Sequence, residues 1–293
     1  TLYDGGGTPA TPLVADRAGR CYLQRYFVFE KTVAKRLIEL AAQPVTPPEL
    51  APGRLQQLSQ FFPDAAAHPA PDYQQWAVWN GVSRALTVLS GGPGTGKTTV
   101  AAALIALELE LHPGLRIALA APTGKAQARL VESLRNNLGR LRISDAIRER
   151  MAALEAGTIH KLLGARRNSN EFRHYDGNPL PCDLLIVDEC SMVPLNLMAR
   201  LLAALRPGAR LVLLGDRRQL ASVEAGAVMA DICDAGAGNV GTPAQVREFA
   251  VQTRWQLPEI GDAKPLSGCV VELIENHRFD RDAPLIGQVA TAI

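Results

Sequence analysis

The residues Gly91-Gly92-Pro93-Gly94-Thr95-Gly96-Lys97-Thr98 form a complete G-x-x-x-x-G-K-T, set between an apolar run and an Ala/Leu-rich stretch. Glycines at this spacing let the backbone wrap with its N–H groups pointing inward, a cradle for phosphate oxygens at a helix N-terminus. Lys97 is placed to reach the β- and γ-phosphates of a nucleoside triphosphate, and Thr98 to offer its hydroxyl to Mg²⁺. Such chemistry needs a second, acidic element. Asp188-Glu189 supplies it by closing the run Asp183–Asp188, DLLIVD. Asp188 is the expected Mg²⁺ partner, through water, and Glu189 the candidate base that orients and deprotonates an attacking water.

These residues need elements that bring them to one place. Apolar, β-branched runs at 85–90, 115–121, 183–188 and 210–215 alternate with helical patterns at 97–112, 125–138, 195–206 and 224–233. Continuous Leu/Ile/Val runs alternating with helices predict an α/β fold with a parallel sheet covered on both faces. The phosphate loop and the acidic pair then lie at the carboxyl edge of that sheet, where open α/β folds bind ligands. Before this pattern the chain reads differently. A turn at Asp16–Gly19 leads into an aromatic and β-branched stretch, Cys21–Phe29, read as strand. Val33, Leu37, Ile38 and Leu40 then recur at helical spacing over 30–40. Pro-rich segments at 41–53 and 62–71 set off residues 1–70 as a small α+β module.

Composition narrows the function classes. The 293 residues are 47% hydrophobic, which excludes wholesale disorder, and 5% aromatic, which argues against a stacking-dominated single-strand binder. Lys+Arg 31 against Asp+Glu 29 leaves +2, so any nucleic-acid contact comes from a local groove. Five cysteines, widely spaced and without a C-x-x-C pair, argue against a disulfide framework or zinc ribbon and point to a reducing compartment. No apolar run reaches the roughly 18 residues of a membrane span, so no membrane partner is expected.

A phosphate loop alone does not separate GTPase, kinase, transporter ATPase and helicase. The chain carries no N-K-x-D segment for guanine. Other segments discriminate: Ala121-Pro122-Thr123-Gly124-Lys125-Ala126, Thr158-Ile159-His160-Lys161-Leu162-Leu163-Gly164, Val187-Asp188-Glu189-Cys190-Ser191-Met192 and Gly215-Asp216-Arg217-Arg218-Gln219-Leu220. In that order the series resembles the superfamily 1B DNA helicases, and within them the RecD-type subunits of exodeoxyribonuclease V. The stretch GDRRQLASVEAGAVMADIC and the N-terminal PLV…YLQRYFVFEKTVA carry the nearer likeness.

The resemblance implies a RecA-like sheet (helicase domain 1A) over 71–293. It also implies ATP and Mg²⁺ as cofactors, and ATP hydrolysis coupled to 5′→3′ movement on single-stranded DNA at double-strand breaks. Gln74 matches the family glutamine that reads adenine, Gln219 the one that senses the γ-phosphate, and Arg278 an arginine that stabilises charge on the transferring phosphoryl group. Thr123, Lys125, Thr158 and His160 match contacts to the DNA sugar-phosphate. A small 1B hairpin is expected within 165–182, with Asp176-Gly177-Asn178 as its turn and Arg166, Arg167, Arg173 and His174 as a positive face. RecB-like and RecC-like subunits are the implied partners in a heterotrimer, with the nuclease in one of them and a cytoplasmic, nucleoid-associated location. The segment 235–267 reads as an insertion of no evident role. A second RecA-like domain is expected beyond this chain, which alone should bind nucleotide weakly and not translocate. Two other readings remain open: a docking subunit with a regulatory nucleotide site, and a non-helicase phosphate-loop ATPase.

Overall fold

A computed structural model of the chain describes residues 12–16, 19–46, 49–50, 54–55, 71–166, 171–219, 228–253, 255–260 and 264–275. At the N-terminal end, β1 (Leu13–Ala15) and β2 (Cys21–Leu23) form an antiparallel pair; of the turn expected at Asp16–Gly19, residues 17 and 18 lie outside the described residues, and Gly19 N donates to Asp16 O (3.0 Å). The strand expected over Cys21–Phe29 stops at Leu23. A 19-residue helix, α1 (Gln24–Ala42), takes over at Gln24. The physical reason lies in the spacing: Tyr26 and Phe29 extend the stripe of Val33, Leu37 and Leu40 backwards at three- and four-residue steps. Packing on one face overrode the β preference of the aromatic residues.

The rest is built on one sheet. Its strands are β3 (Leu86–Gly91), β4 (Ile117–Ala121), β5 (Ala156–Thr158), β6 (Leu184–Val187), β7 (Arg210–Gly215) and β8 (Val270–Leu273). They lie in the order β5-β4-β6-β7-β3-β8, and every pairing is parallel. The chain thus leaves β3 and returns beyond its neighbours at β4, so β6 and β7 come to lie between them. Strands of such a sheet are buried on both faces and need apolar residues at every position. Along β6, Leu185 and Val187 face one core while Leu184 and Ile186 face the other; along β7, Leu211 and Leu213 oppose Val212 and Leu214 in the same way.

Helices cover both faces. On one lie α2 (Tyr73–Ser83), α3 (Lys97–Leu111), α4 (Gly124–Leu138), α5 (Asp145–Ala152) and α9 (Pro243–Thr253). On the other lie α1, α6 (Ile159–Leu163), α7 (Leu195–Ala203) and α8 (Val228–Asp234). The helix expected at 224–233 is described only from Val228. α1 is not detached from the sheet domain: Arg36 Nε donates to Leu202 O (3.3 Å) and its Nη2 to Leu205 O (3.0 Å), at the carboxyl end of α7. On the opposite face, Glu108 of α3 is fully buried and pairs with Arg210 at the start of β7.

The stretch 235–267, read as an insertion, is part of the core. α9 places Phe249 edge-on to Trp76 of α2, with ring centroids 5.2 Å apart. Asn80 Nδ2 donates to Gly268 O (2.7 Å), and Arg84 Nη2 to Gln245 Oε1 (3.0 Å). This packing delivers the chain to β8, next to β3. Among the described residues of 165–182 the pairing is shorter than a full hairpin. Single bridges join Ala165 to Phe172 and Tyr175 to Asn178 around the Asp176-Gly177 turn, and the segment folds back on the end of α6. Arg167 lies outside the described residues; Arg166 and Arg173 are exposed.

Candidate nucleotide site

β3 ends at Gly91 and α3 begins at Lys97, so the five residues between them form the loop. Gly94 (φ +82°) and Gly96 (φ +90°) adopt the left-handed region that a side chain disfavours. Thr95 Oγ1 donates to Gly92 O (2.9 Å), and Val100 N donates to Gly96 O (3.0 Å) as the helix starts. Lys97 folds back over the loop, its Nζ donating to Gly91 O (2.5 Å) and Gly92 O (3.0 Å). Thr98 follows in the first turn of α3, half-buried.

The sheet register brings the acids to this loop. Ser90 stands opposite Gly215, and Leu213 of β7 pairs with both Val88 and Val187. The residues that follow, Asp188 after β6 and Asp216 after β7, therefore share the loop's edge. Burial lowers the Lys97 pKa, and Asp216, Asp188 and Glu189 oppose that shift, in that order. Burial pushes the Asp188 pKa up, Glu189 adds to it, and the Glu189 N–H donated to Asp188 Oδ1 (2.8 Å) and the Lys97 charge work against it. Glu189 sits at φ +54°, a non-glycine residue held in the left-handed region at the strand end. Such strain persists only where surrounding structure enforces it, and it clusters at functional sites.

Gln219 belongs to the same edge, with its Oε1 accepting from Ser191 Oγ (2.9 Å). Ser191 lies in the 3₁₀ turn Cys190–Met192 directly after the acidic pair, so this bond ties the β6 end to the β7 end. Gln74, in the first turn of α2, donates from Nε2 to Thr95 O (3.0 Å) inside the loop. Arg278 lies outside the described residues. Two residues of the site, Asp216 and Ser191, were given no role by the sequence. Asp216 carries the same signal as Asp188, an acid closing an apolar run; Ser191 has none, because its partner is 28 residues away.

The four residues matched to DNA contacts occupy the other half of the edge, at the ends of β4 and β5. Thr123 Oγ1 accepts from Ala126 N (3.2 Å) and caps α4; Thr158 Oγ1 accepts from Lys161 N (3.2 Å) and caps α6. A hydroxyl that accepts from the backbone keeps its own proton for a further acceptor. Lys125 and His160 are exposed. Asp188 N donates to Ala120 O (2.9 Å), so the acid strand is bonded directly to the strand that leads into Thr123.

Among the described residues no group of three or more His, Cys, Asp or Glu side chains is arranged to hold a metal. A hydroxyl, one or two carboxylates and phosphate oxygens are the donor set Mg²⁺ takes beside a nucleotide, and Thr98 with a half-buried Asp188 fits that set. No helix among the described residues is long and apolar enough to cross a membrane.

The chain is 46% identical over 231 residues to the RecBCD enzyme subunit RecD of Mycobacterium tuberculosis, a match covering 77% of this chain and 37% of that protein. It is 38% identical over 236 residues to the RecBCD enzyme subunit RecD of Haemophilus influenzae, covering 78% and 36%. To the ATP-dependent RecD2 DNA helicase of Deinococcus radiodurans it is 38% identical over 217 residues, covering 74% and 26%. The chain thus spans little more than a third of the first two relatives. A family model described as an AAA domain matches residues 74–225, from the glutamine at the start of α2 to beyond Gln219. With more than half its length inside that model, the chain belongs to the AAA domain family.

Proposed function

We propose that this chain is the ATP-binding domain of an ATP-dependent 5′→3′ DNA helicase subunit, acting at double-strand break ends within a RecBCD-type exodeoxyribonuclease V. The observation that carries the reading is the convergence of Lys97, Asp188, Glu189 and Asp216 at the carboxyl edge of β3, β6 and β7. Mg²⁺, held by Thr98 and Asp188, would neutralise charge on the phosphate oxygens. Lys97 exchanges the Gly91 and Gly92 carbonyls for the β- and γ-phosphates. Glu189 takes the proton of the attacking water. Gln219 presents its amide to the γ-phosphate and, through Ser191, registers its departure at the end of β6. Gln74 has one N–H committed to Thr95 O; its Oε1 and second N–H match the N6 donor and N7 acceptor of adenine.

Coupling to DNA follows from the order of the strands. β6 stands between the nucleotide half of the edge and β4, so a shift of the acid loop is felt at Thr123 and Lys125 through the Asp188–Ala120 bond. Hydroxyls and a lysine there suit phosphate oxygens and carry no base preference. RecB-like and RecC-like subunits would complete the complex and supply the nuclease, in a cytoplasmic, nucleoid-associated setting. The test is the ATPase rate of the native protein that carries this sequence, with and without single-stranded DNA. The reading expects stimulation by DNA and its loss in Lys97→Gln. A rate indifferent to DNA, or unchanged turnover in the variant, contradicts it.

A further inference from the structure

Gln74 is 7% exposed and is fixed from both sides. Behind it, Asp72 caps α2, its Oδ1 accepting from Gln74 N (2.8 Å) and Gln75 N (3.3 Å) while its Oδ2 accepts from Gln75 Nε2 (3.0 Å). In front, the side-chain amide reaches Thr95 O. A carbonyl oxygen can only accept, so the NH₂ group of Gln74, and not its oxygen, faces the loop. The approach is close enough that a Cβ on Gly96 would collide with Nε2. A side chain at Gly96 would therefore push the Gln74 amide off Thr95 O, in addition to straining its own backbone at φ +90°, and the Thr95 carbonyl is held by a buried donor.

A phosphate loop works only when its N–H groups point inward and its carbonyls point away. Each carbonyl turned toward the anion presents negative charge to negative charge. Every carbonyl pinned elsewhere favours the anion-ready curve. We propose that Gln74 is a positioning residue for the phosphate loop, holding the Thr95 carbonyl away from the anion so that triphosphate is recognised more tightly whatever base it carries. This deepens the nucleotide-binding reading and rests on it: one side chain then links the base to the loop, and loss of the side chain weakens both.

The probes are inorganic tripolyphosphate, ATP and GTP, each with Mg²⁺, titrated calorimetrically into the native protein that carries this sequence and into its Gln74→Met and Gln74→Glu variants. Methionine keeps the length and packing without a donor. Glutamate keeps the shape and sets a carboxylate against the Thr95 carbonyl. One buried hydrogen bond to a neutral acceptor is worth about 1 kcal/mol, so tripolyphosphate should bind roughly five- to tenfold more weakly to Gln74→Met and weaker still to Gln74→Glu. The preference for ATP over GTP should fall in both. Thermal unfolding of each variant without ligand accompanies the titrations, and an unchanged midpoint assigns the loss to the loop. Wild-type affinity for tripolyphosphate in both variants, with only the base preference lost, would overturn the proposal and leave Gln74 as a base reader alone. A wild-type chain that binds neither tripolyphosphate nor ATP would overturn the nucleotide-binding reading itself, and this inference with it.

Discussion

Asp188 is held in an environment that works against its charge. Burial raises its pKa, and Glu189 beside it raises it further. Between the ordinary carboxylate value and the raised one, the folded chain binds more protons than the unfolded chain, so stability falls as pH rises through that window. A half-buried carboxylate with the proposed role of meeting a cation would have this signature, with stability given up for function. Asp188→Asn is therefore expected to raise the melting temperature of the nucleotide-free chain at neutral pH by roughly 2–4 °C, the equivalent of about 1 kcal/mol in a domain of this size. The difference should close as the pH is lowered below about 3, where the aspartate is protonated in both states. Asparagine keeps the acceptor for Glu189 N, so the local turn survives. Calorimetric melts at a series of pH values decide it: a variant less stable than wild type at neutral pH would show that Asp188 is a structural acid.

At the scale of elements, α1 is a test of what binds the N-terminal module to the sheet. Its buried stripe and the two hydrogen bonds from Arg36 to the end of α7 make one interface. Arg36→Ala removes a cap from backbone carbonyls at a helix end, where a cation is also favoured by the helix dipole. The expected cost is about 1–2 kcal/mol, read as a fall of roughly 2–8 °C in the unfolding midpoint. Nucleotide affinity should stay at the wild-type level, because α7 meets the face of the sheet and not its carboxyl edge. A loss of nucleotide affinity without a change in melting would refute this division of labour.

The same elements show what the sequence makes legible. The four strands β3, β4, β6 and β7 and the helix α3 could be read because their apolar runs are long and bounded by Gly, Pro or acid. α2 could not: its residues are buried all round, so YQQWAVWNGVS has no polar face and no period to detect. β5 has three residues, Ala-Gly-Thr, and β8 is a short run inside a segment with many glycines. Both owe their strand form to a neighbour across the sheet. Of the site, the loop and the acidic pair were legible from spacing. The Gln74–Thr95 and Ser191–Gln219 bonds were not, since they join residues 21 and 28 positions apart.

For the whole molecule, the proposed function divides one sheet edge between two ligands by the order of its strands. β3, β7 and β6 carry the residues proposed for nucleotide, and β4 and β5 carry Thr123, Lys125, Thr158 and His160, proposed for DNA. Lys125→Ala and Thr158→Val are expected to weaken single-stranded DNA binding by the native protein while leaving nucleotide affinity unchanged. The lysine variant should also flatten the dependence of log affinity on log salt, by about 0.7 for each phosphate that the lysine neutralises. Fluorescence anisotropy of a labelled oligonucleotide across a salt series measures both. An unchanged slope would mean that DNA, if bound, lies elsewhere.

The central claim is that the loop from Gly91 to Thr98 and the acids facing it hold a magnesium-bound triphosphate. Calorimetric titration of Mg·ATP into the native protein that carries this sequence and into its Lys97→Ala variant tests it without need of DNA. A charge-assisted hydrogen bond is worth about 1.5–3 kcal/mol, so the variant should bind roughly 10- to 150-fold more weakly. Equal affinity in the two proteins, or no saturable binding by the wild-type chain, would contradict the account.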